Sequence, residues 1–423
     1  MASVLWGFHA KHLSGGRGDC LQSQNKHQMG GGRLKILVLS FYFRPDLSAG
    51  SFRTTAFVDA LKQKMSVDGQ IDVLTTLPNR YSSFSVDASA EERTPGLSIV
   101  RIALPPHQSG MFDQARAFIV FAREVLRHTR AQEYDLVFAT SSRLMTAVLG
   151  AWVAYKKRIP LYLDIRDIFV DTIKDVLPRH FAILAKPVFV LLEHLTINSA
   201  SKVNLVSRGF AQYFSARYPK QRFSYFTNGI DDEFLSLKAP ESGTRTSESL
   251  EVLYAGNLGE GQGLHAIIPD LAKRMRGRIR FKIIGDGGRK DVLRAALASA
   301  GVDNVELLPP MKRAQLIAAY QAADVLFLHL NDYDAFRKVL PSKLFEYGAI
   351  GKPIWAGVSG YAAEFVRAEL DNSAVFYPCN VDEAEQVFRQ LRLQNEPRLG
   401  FVAKFARTNI ANELVNDVVN TIS

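Results

Sequence analysis

At 423 residues with 47% hydrophobic side chains, the chain exceeds one ordinary core and is too apolar for disorder, which points to two domains. Its two cysteines, Cys20 and Cys379, imply no disulfide framework and a reducing compartment, and no Cys/His spacing suited to a metal occurs. The net charge of +10 is lopsided: residues 1–230 hold 29 Lys and Arg against 17 Asp and Glu, and residues 231–423 hold 23 against 25. Only the first half is thus expected to face an anionic partner, with a solvated basic surface as the alternative; scattered bases without a binding motif argue against nucleic acid.

Residues 1–33 mix Gly clusters with polar side chains and lack the apolar core of a signal peptide, so a disordered extension is expected there; Met29, just before the first strand, is an alternative start. Apolar runs of strand length then recur, each followed by helical spacing: LKILVLSF (34–41), IDVLTTLP (71–78), LSIVRIAL (97–104), YDLVFATS (134–141), PLYLDIRD (160–167) and KVNLVS (202–207). Most are continuous rather than alternating, as in strands covered by helices on both faces. After the first run, Ala49-Gly50-Ser51 feeds a helix that also carries Arg53. Such a small-residue loop offers backbone N–H groups to an anion or a sugar, although a glycine of purely steric purpose reads the same way. His107, in LPPHQSG after the third run, fits a loop residue better than a catalyst. The fifth run ends in LDIRDIFVD, which clusters Asp164, Arg166, Asp167 and Asp171; ion pairing at a sheet margin and catalysis fit it equally. FAILAKPVFVLLEHL (181–195) is interrupted by Lys186, Pro187, Glu193 and His194, so a buried helix is expected rather than a membrane span.

A Ser/Thr/Pro/Gly-rich stretch (236–250) connects to a second half with the same rhythm: LEVLYAGN (250–257), RFKIIGDG (280–287), VELLPP (305–310), DVLFLHL (324–330), KPIWAG (352–357) and SAVFYP (373–378). Two doubly wound α/β domains follow, with ligands expected beyond the carboxyl ends of the strands, in the cleft between them. YAGNLGEGQGL carries Gly256, Asn257, Gly259, Gly261 and Gly263 in an order unlike a dinucleotide fingerprint. IIGDGG adds Gly285 and Asp286, which a tight turn with a helix cap would also explain. In KVLPSKLFEYGAIGKP, Arg337 and Lys338 precede a helix opening at Ser342 and Lys343, with Glu346 one turn in. A diphosphate suits glycine-loop amides, a helix start and lysine, while one carboxylate can accept both hydroxyls of a ribose. A surface pair of Glu346 with Lys343 is the alternative. Asp332 and Asp334, two apart in NDYDAF, read as loop acids rather than as a metal pair.

With these residues in view, FYFRPDLSAGSFR, LDIRDIF, FTNGIDDEF, YAGNLGEGQGL, IIGDG and LPSKLFEYGAIGKP stand in the order seen in glycosyltransferase family 4, which the chain resembles over about residues 34–420. The resemblance implies a GT-B architecture: an acceptor-binding Rossmann-like domain (34–228), a nucleotide-sugar-binding domain (229–399) and a C-terminal helix (400–423) returning to the first domain. It implies retaining, metal-independent transfer of a hexosyl or N-acetylhexosaminyl unit from a UDP-sugar, without cofactor, to a lipid-linked saccharide acceptor. The basic first domain fits a polyprenyl-linked acceptor and peripheral, salt-sensitive association with the anionic inner face of the cytoplasmic membrane. Asp167, Arg166 and His107 are its catalytic candidates. Gly256, Asn257, Gly259, Gly285, Asp286, Lys338, Ser342, Lys343 and Glu346 are donor-side candidates, and Ala49, Gly50, Ser51 and Arg53 form the acceptor-side loop. The sequence departs from the family where a Glu-x7-Glu pair would begin, at Lys338, and where two basic positions of the diphosphate loop hold Asn257 and Gln262. Lys343, with Arg337 or Lys338, is expected to supply the missing charge. A sugar-nucleotide 2-epimerase of the same fold and a non-catalytic sugar-nucleotide-binding protein remain the alternatives.

Overall fold

The computed structural model describes residues 33–46, 48–78, 88–105, 111–141, 144–168, 170, 179–235 and 249–422. His107, Asp171, nearly all of the extension at 1–33 and most of the 236–250 stretch lie outside them.

Continuous apolar strands must be covered on both faces, and each half of the chain does this around its own sheet. The first sheet holds β1 (Lys35–Leu39), β2 (Gln70–Thr76), β3 (Glu91–Thr94), β4 (Leu97–Ile102), β5 (Leu136–Thr140), β6 (Leu161–Ile165), β7 (Lys202–Leu205) and β8 (Phe223–Ser224) in the order β3-β4-β2-β1-β5-β6-β7-β8. It is parallel except for β3, which pairs antiparallel with β4. The second sheet is parallel throughout: β9 (Leu250–Asn257), β10 (Ile279–Asp286), β11 (Val305–Leu308), β12 (Val325–His329), β13 (Ile354–Gly357) and β14 (Ser373–Phe376), ordered β11-β10-β9-β12-β13-β14. All twelve apolar runs of the sequence are strands. The two unforeseen strands, β3 and β8, are an edge of charged residues and a two-residue pairing at the opposite margin.

The connection between halves is a pair of crossover segments. Ile230 bridges in parallel to Ala406, with its N–H donating to Phe405 O (2.8 Å) and its carbonyl accepting from Arg407 N–H (2.9 Å). The helix Leu399–Phe405 packs Phe401 and Phe405 against Phe345 and Phe365 of the second domain. Only the following helix, Arg407–Val419, lies on the first domain, where Leu414, Val415 and Val418 join Val38, Phe57 and Ile71. The return crossing thus falls at Ala406 rather than at 399/400. The helix Arg179–Ser199 also departs from expectation. It buries Glu193, Thr196 and Ile197 but leaves Val188, Leu191 and Leu195 exposed, so it is a surface helix rather than a buried one.

Candidate active site

Parallel register sets Gly256 beside Gly285 and Asn257 beside Asp286 at the carboxyl ends of β9 and β10. Both glycines are needed: Gly256 has φ 147° and Gly285 φ 155°, and a Cβ on Gly285 would sit 1.9 Å from Gly256 O. Their backbones line an opening of about 140 Å³ together with Asp286, Pro310, Met311, Arg313 and Phe52, the last from the first domain's helix Ala49–Lys64. The cavity therefore straddles the two halves.

The helix Lys343–Ile350 begins beside this opening. Lys343 lies across Gly256, where a methyl would meet its Cε and Nζ at 2.3 Å, and its ammonium is 5.2 Å from the Tyr254 ring centroid. Burial depresses its pKa, opposed by the charge of Glu346. Glu346 does not pair with Lys343. Its Oε1 accepts from Arg313 Nη1 (2.9 Å) and its Oε2 from the Tyr320 hydroxyl (3.1 Å). Arg313 also donates to Asp231 (2.7 Å) and Glu233 (2.8 Å), and its guanidinium faces the rings of Phe234 and Phe52. Burial works against that positive charge, but the Glu346, Glu233 and Asp231 carboxylates outweigh it and lift the Arg313 pKa above its ordinary value.

The two positions that lack a basic residue are joined to each other. Asn257 Nδ2 donates to Gln262 Oε1 (2.9 Å), which also accepts from Gly259 N–H (3.3 Å), closing the loop with a neutral amide pair. His329, fully buried at the end of β12, braces the same loop: Nδ1 meets Gln262 O (2.7 Å) and Nε2 accepts from Cys379 N–H (3.0 Å). Those partners define the neutral Nδ1–H tautomer, and burial holds its pKa down near 4. Asp286 accepts from Gly287 N–H (3.0 Å) and pairs with Lys290 (3.6 Å), a turn rather than a cap on the helix Lys290–Ala300.

Gly256, Asn257, Gly259, Gly285, Asp286, Ser342, Lys343 and Glu346 thus gather around the ends of β9 and β10. Lys338 does not join them: its ammonium lies 5.3 Å from the Tyr213 ring centroid of the first domain, and its carbonyl accepts from Ser207 Oγ (2.6 Å). Arg337 likewise turns to Asp332 (3.3 Å), Asp334 (3.3 Å) and Tyr377 (2.9 Å), so Asp332 and Asp334 are loop acids. Among the described residues no group of three His, Cys, Asp or Glu side chains converges as a metal site would require.

On the facing domain, Ser48 caps the helix Ala49–Lys64 by accepting from Ser51 N–H (3.1 Å), which consumes one of the amides expected to meet a ligand. Gly50 and Ser51 are buried in that first turn, which Ala49 opens, and Ser51 lines a 400 Å³ recess with Arg44, Asp231 and Arg407. Arg53 is not an open acceptor-side group. Its guanidinium grips Asp164 through two bonds of 2.9 Å and donates to Phe226 O (2.9 Å) and Thr227 O (2.5 Å). Burial pushes the Asp164 carboxyl upward, yet the Arg53 charge and hydrogen bonds overcome this and leave it below its usual range. Arg166 lies beyond this pair with its backbone N–H on Ser141 Oγ (2.8 Å) and Nη1 buried without a hydrogen-bond partner among the described residues. Burial lowers its pKa to about 10 against the pull of Asp164. Asp167, next to it, is exposed. Of the residues that sequence reasoning missed, Arg313 and Arg407 are brought in from distant segments and carry no local signal, while Phe52 stands inside the loop motif between Ser51 and Arg53 and reads there as an ordinary core residue.

Two family models match successive parts of this architecture. Residues 66–229 match the glycosyl transferase 4-like domain, and residues 238–404 match glycosyl transferases group 1. WcaI of Escherichia coli (strain K12), named as a candidate colanic acid biosynthesis glycosyl transferase, is 36% identical over 101 residues, a match spanning 24% of this chain and 24% of that one. Among solved structures, sucrose-phosphate synthase from Thermosynechococcus elongatus superposes with a TM-score of 0.69 at 13% identity, over 92% of this chain and 99% of that one. Anabaena Alr3699/HepE, solved with UDP and glucose, gives 0.62 at 16% identity over 92% and 100%. The superposed structures share the two-sheet GT-B fold, and with a glycosyltransferase model on each sheet, together covering most of its length, the chain belongs to the family 4 glycosyltransferases.

Proposed function

We propose that the chain moves a hexosyl or N-acetylhexosaminyl unit from a UDP-sugar to a hydroxyl of a lipid-linked saccharide in surface polysaccharide synthesis, with retention and without a metal. The observation that carries the reading is Lys343 lying on Gly256 at the mouth of the strand-end opening, one helical turn from Glu346. As the sugar departs, negative charge grows on the diphosphate, and preorganised amides and a cation stabilise it best. Gly256 and Gly259 supply backbone there and Lys343 the charge, because the neutral Asn257–Gln262 pair cannot. Glu346 would accept the ribose hydroxyls once Arg313 yields its place. On the first domain, Arg166 with its unpartnered Nη1 and the exposed Asp167 are the polar groups nearest in kind to an acceptor-activating site. HepE's complexes with UDP-glucose and UDP favour a uridine donor by likeness of fold.

The deciding experiment incubates the chain with a panel of nucleotide sugars, with and without lipid-linked acceptor. Product formed only with acceptor is expected; an epimer formed without it would establish an isomerase, and binding alone a non-catalytic protein. Lys343→Ala should weaken UDP-sugar binding about 10–100-fold by calorimetry, the loss expected for a charge-assisted phosphate contact, while Gln262→Ala costs less. The reverse order would refute the assignment of charge to Lys343.

A further inference from the structure

The helix Arg179–Ser199 turns an apolar stripe outward. Val188, Leu191 and Leu195 are 57%, 57% and 58% exposed at spacings of three and four, which places them on one helical face. Beside it runs the helix Leu144–Lys157, packed into the same core layer under the sheet through Ala147, Leu149 and Val153, as the first is through Ile197. This neighbour presents Trp152 and Tyr155, 50% and 73% exposed. Single exposed apolar side chains are ordinary, but large ones gathered on two adjoining helices mark an interaction surface.

The charges on these helices select the partner. Their one acid, Glu193, is buried and accepts from the Tyr213 and Tyr218 hydroxyls (3.1 and 2.9 Å), so it adds nothing to the outer face. The exposed charges near these side chains are bases instead. Lys156 Nζ stands 4.8 Å from the Trp152 ring centroid with Arg158 exposed two residues on, and Lys186 is exposed just ahead of Val188, whereas Lys157 turns away to donate to Gln132 O. Tryptophan and tyrosine favour the boundary between headgroups and acyl chains, aliphatic side chains sink just below it, and lysines keep their stems apolar while their ammonium groups meet lipid phosphates. A protein partner would have to be acidic to gain from this surplus of positive charge, whereas an anionic bilayer supplies both the charge and the apolar layer beneath it.

We propose that this two-helix face seats on an anionic phospholipid surface, with Trp152, Tyr155, Val188, Leu191 and Leu195 entering the headgroup boundary. The inference rests on the transferase reading for its purpose, access to a lipid-borne acceptor, and is independent of it in geometry. The test is flotation of the full chain with vesicles of equal phosphatidylcholine and phosphatidylglycerol, against phosphatidylcholine alone, at low and high salt. Strong flotation with the anionic vesicles at low salt is expected. Leu191→Ser/Leu195→Ser should weaken partitioning about tenfold or more. Lys156→Glu/Lys186→Glu should weaken it about tenfold and flatten its salt dependence. All four side chains lie on the surface, so an unchanged urea midpoint shows that the variants fold. Wild-type chain left at the bottom of the gradient overturns the proposal, as does equal flotation of the variants. A concentration-dependent dimer that the same substitutions abolish, without vesicle binding, overturns it in favour of a second copy of the chain. Flotation needs neither donor nor acceptor, so a chain that floats yet transfers nothing would refute the transferase reading and leave this one standing.

Discussion

Glu346 is held by a side chain 33 positions away in sequence, Arg313, and that arginine is shared among three carboxylates. Glu346 and Asp231 have 17% and 16% of their side-chain surface exposed, so their charges are partly desolvated and depend on the guanidinium between them. Arg313→Ala is therefore expected to lower stability by about 1–3 kcal/mol, since it strands like charges that water screens incompletely. Arg313→Lys should recover only part of this, because a point charge cannot serve several acceptors in fixed directions. Urea unfolding of both variants checks the order; equal midpoints for wild type and Arg313→Ala would show the cluster to be idle. The sequence could nominate Glu346 and Lys343, since both lie within one motif, but not Arg313, whose role exists only after α/β winding carries Asp231, Glu233 and Glu346 to one place. For the same reason Arg53 and Lys338 were legible as cations near loops, while their engagement with Asp164 and Tyr213 was not.

At the scale of elements, legibility follows burial. β1, β5 and β6 are buried at every or nearly every position and announce themselves as apolar runs. β3 reads EERT, and only its antiparallel pairing with β4 makes it a strand. The end of β12 illustrates the opposite case, a polar residue placed by the apolar run before it. His329 is fully buried, and a proton on Nε2 would face the Cys379 N–H that this nitrogen now accepts. Its pKa falls from 6.5 to about 4, chiefly through burial. Between those values the unfolded chain takes up a proton that the folded chain refuses. The stabilisation is thus complete above pH 6.5 and is lost as pH falls toward 4, by up to about 3 kcal/mol at about 1.4 kcal/mol per pH unit. Unfolding midpoints measured from pH 7 to 4 should fall more steeply for wild type than for His329→Gln. Parallel curves would remove His329 as a source of the slope.

Across the whole molecule, the two domains meet through crossover segments so close that only glycine fits one position. A Cβ on Gly229 would lie 2.6 Å from Arg407 Cα, backbone that cannot swing aside as a flexible side chain could. Arg407 in turn donates to Gly229 O (2.7 Å) and to Asp231 (2.5 Å), and Asp231 receives Arg313, which holds Glu346. The crossing is thus tied by an unbroken series of hydrogen bonds to Glu346, the carboxylate proposed to meet the donor. Gly229→Ala forces the segments apart and should cost about 1–3 kcal/mol, the usual penalty for overpacking at a site that cannot relax. Gly400 supplies the comparison: it lies in the first turn of the helix Leu399–Phe405, and an added methyl there would meet nothing within 4 Å, so Gly400→Ala should be neutral or slightly stabilising. If the tie from the crossing to Glu346 matters to the site, Gly229→Ala should also raise the KM for nucleotide sugar, and Gly400→Ala should not. A destabilised Gly229→Ala chain with unaltered KM would show that the crossing joins the domains without positioning Glu346, and the path through Arg407, Asp231 and Arg313 would then be mechanical support alone.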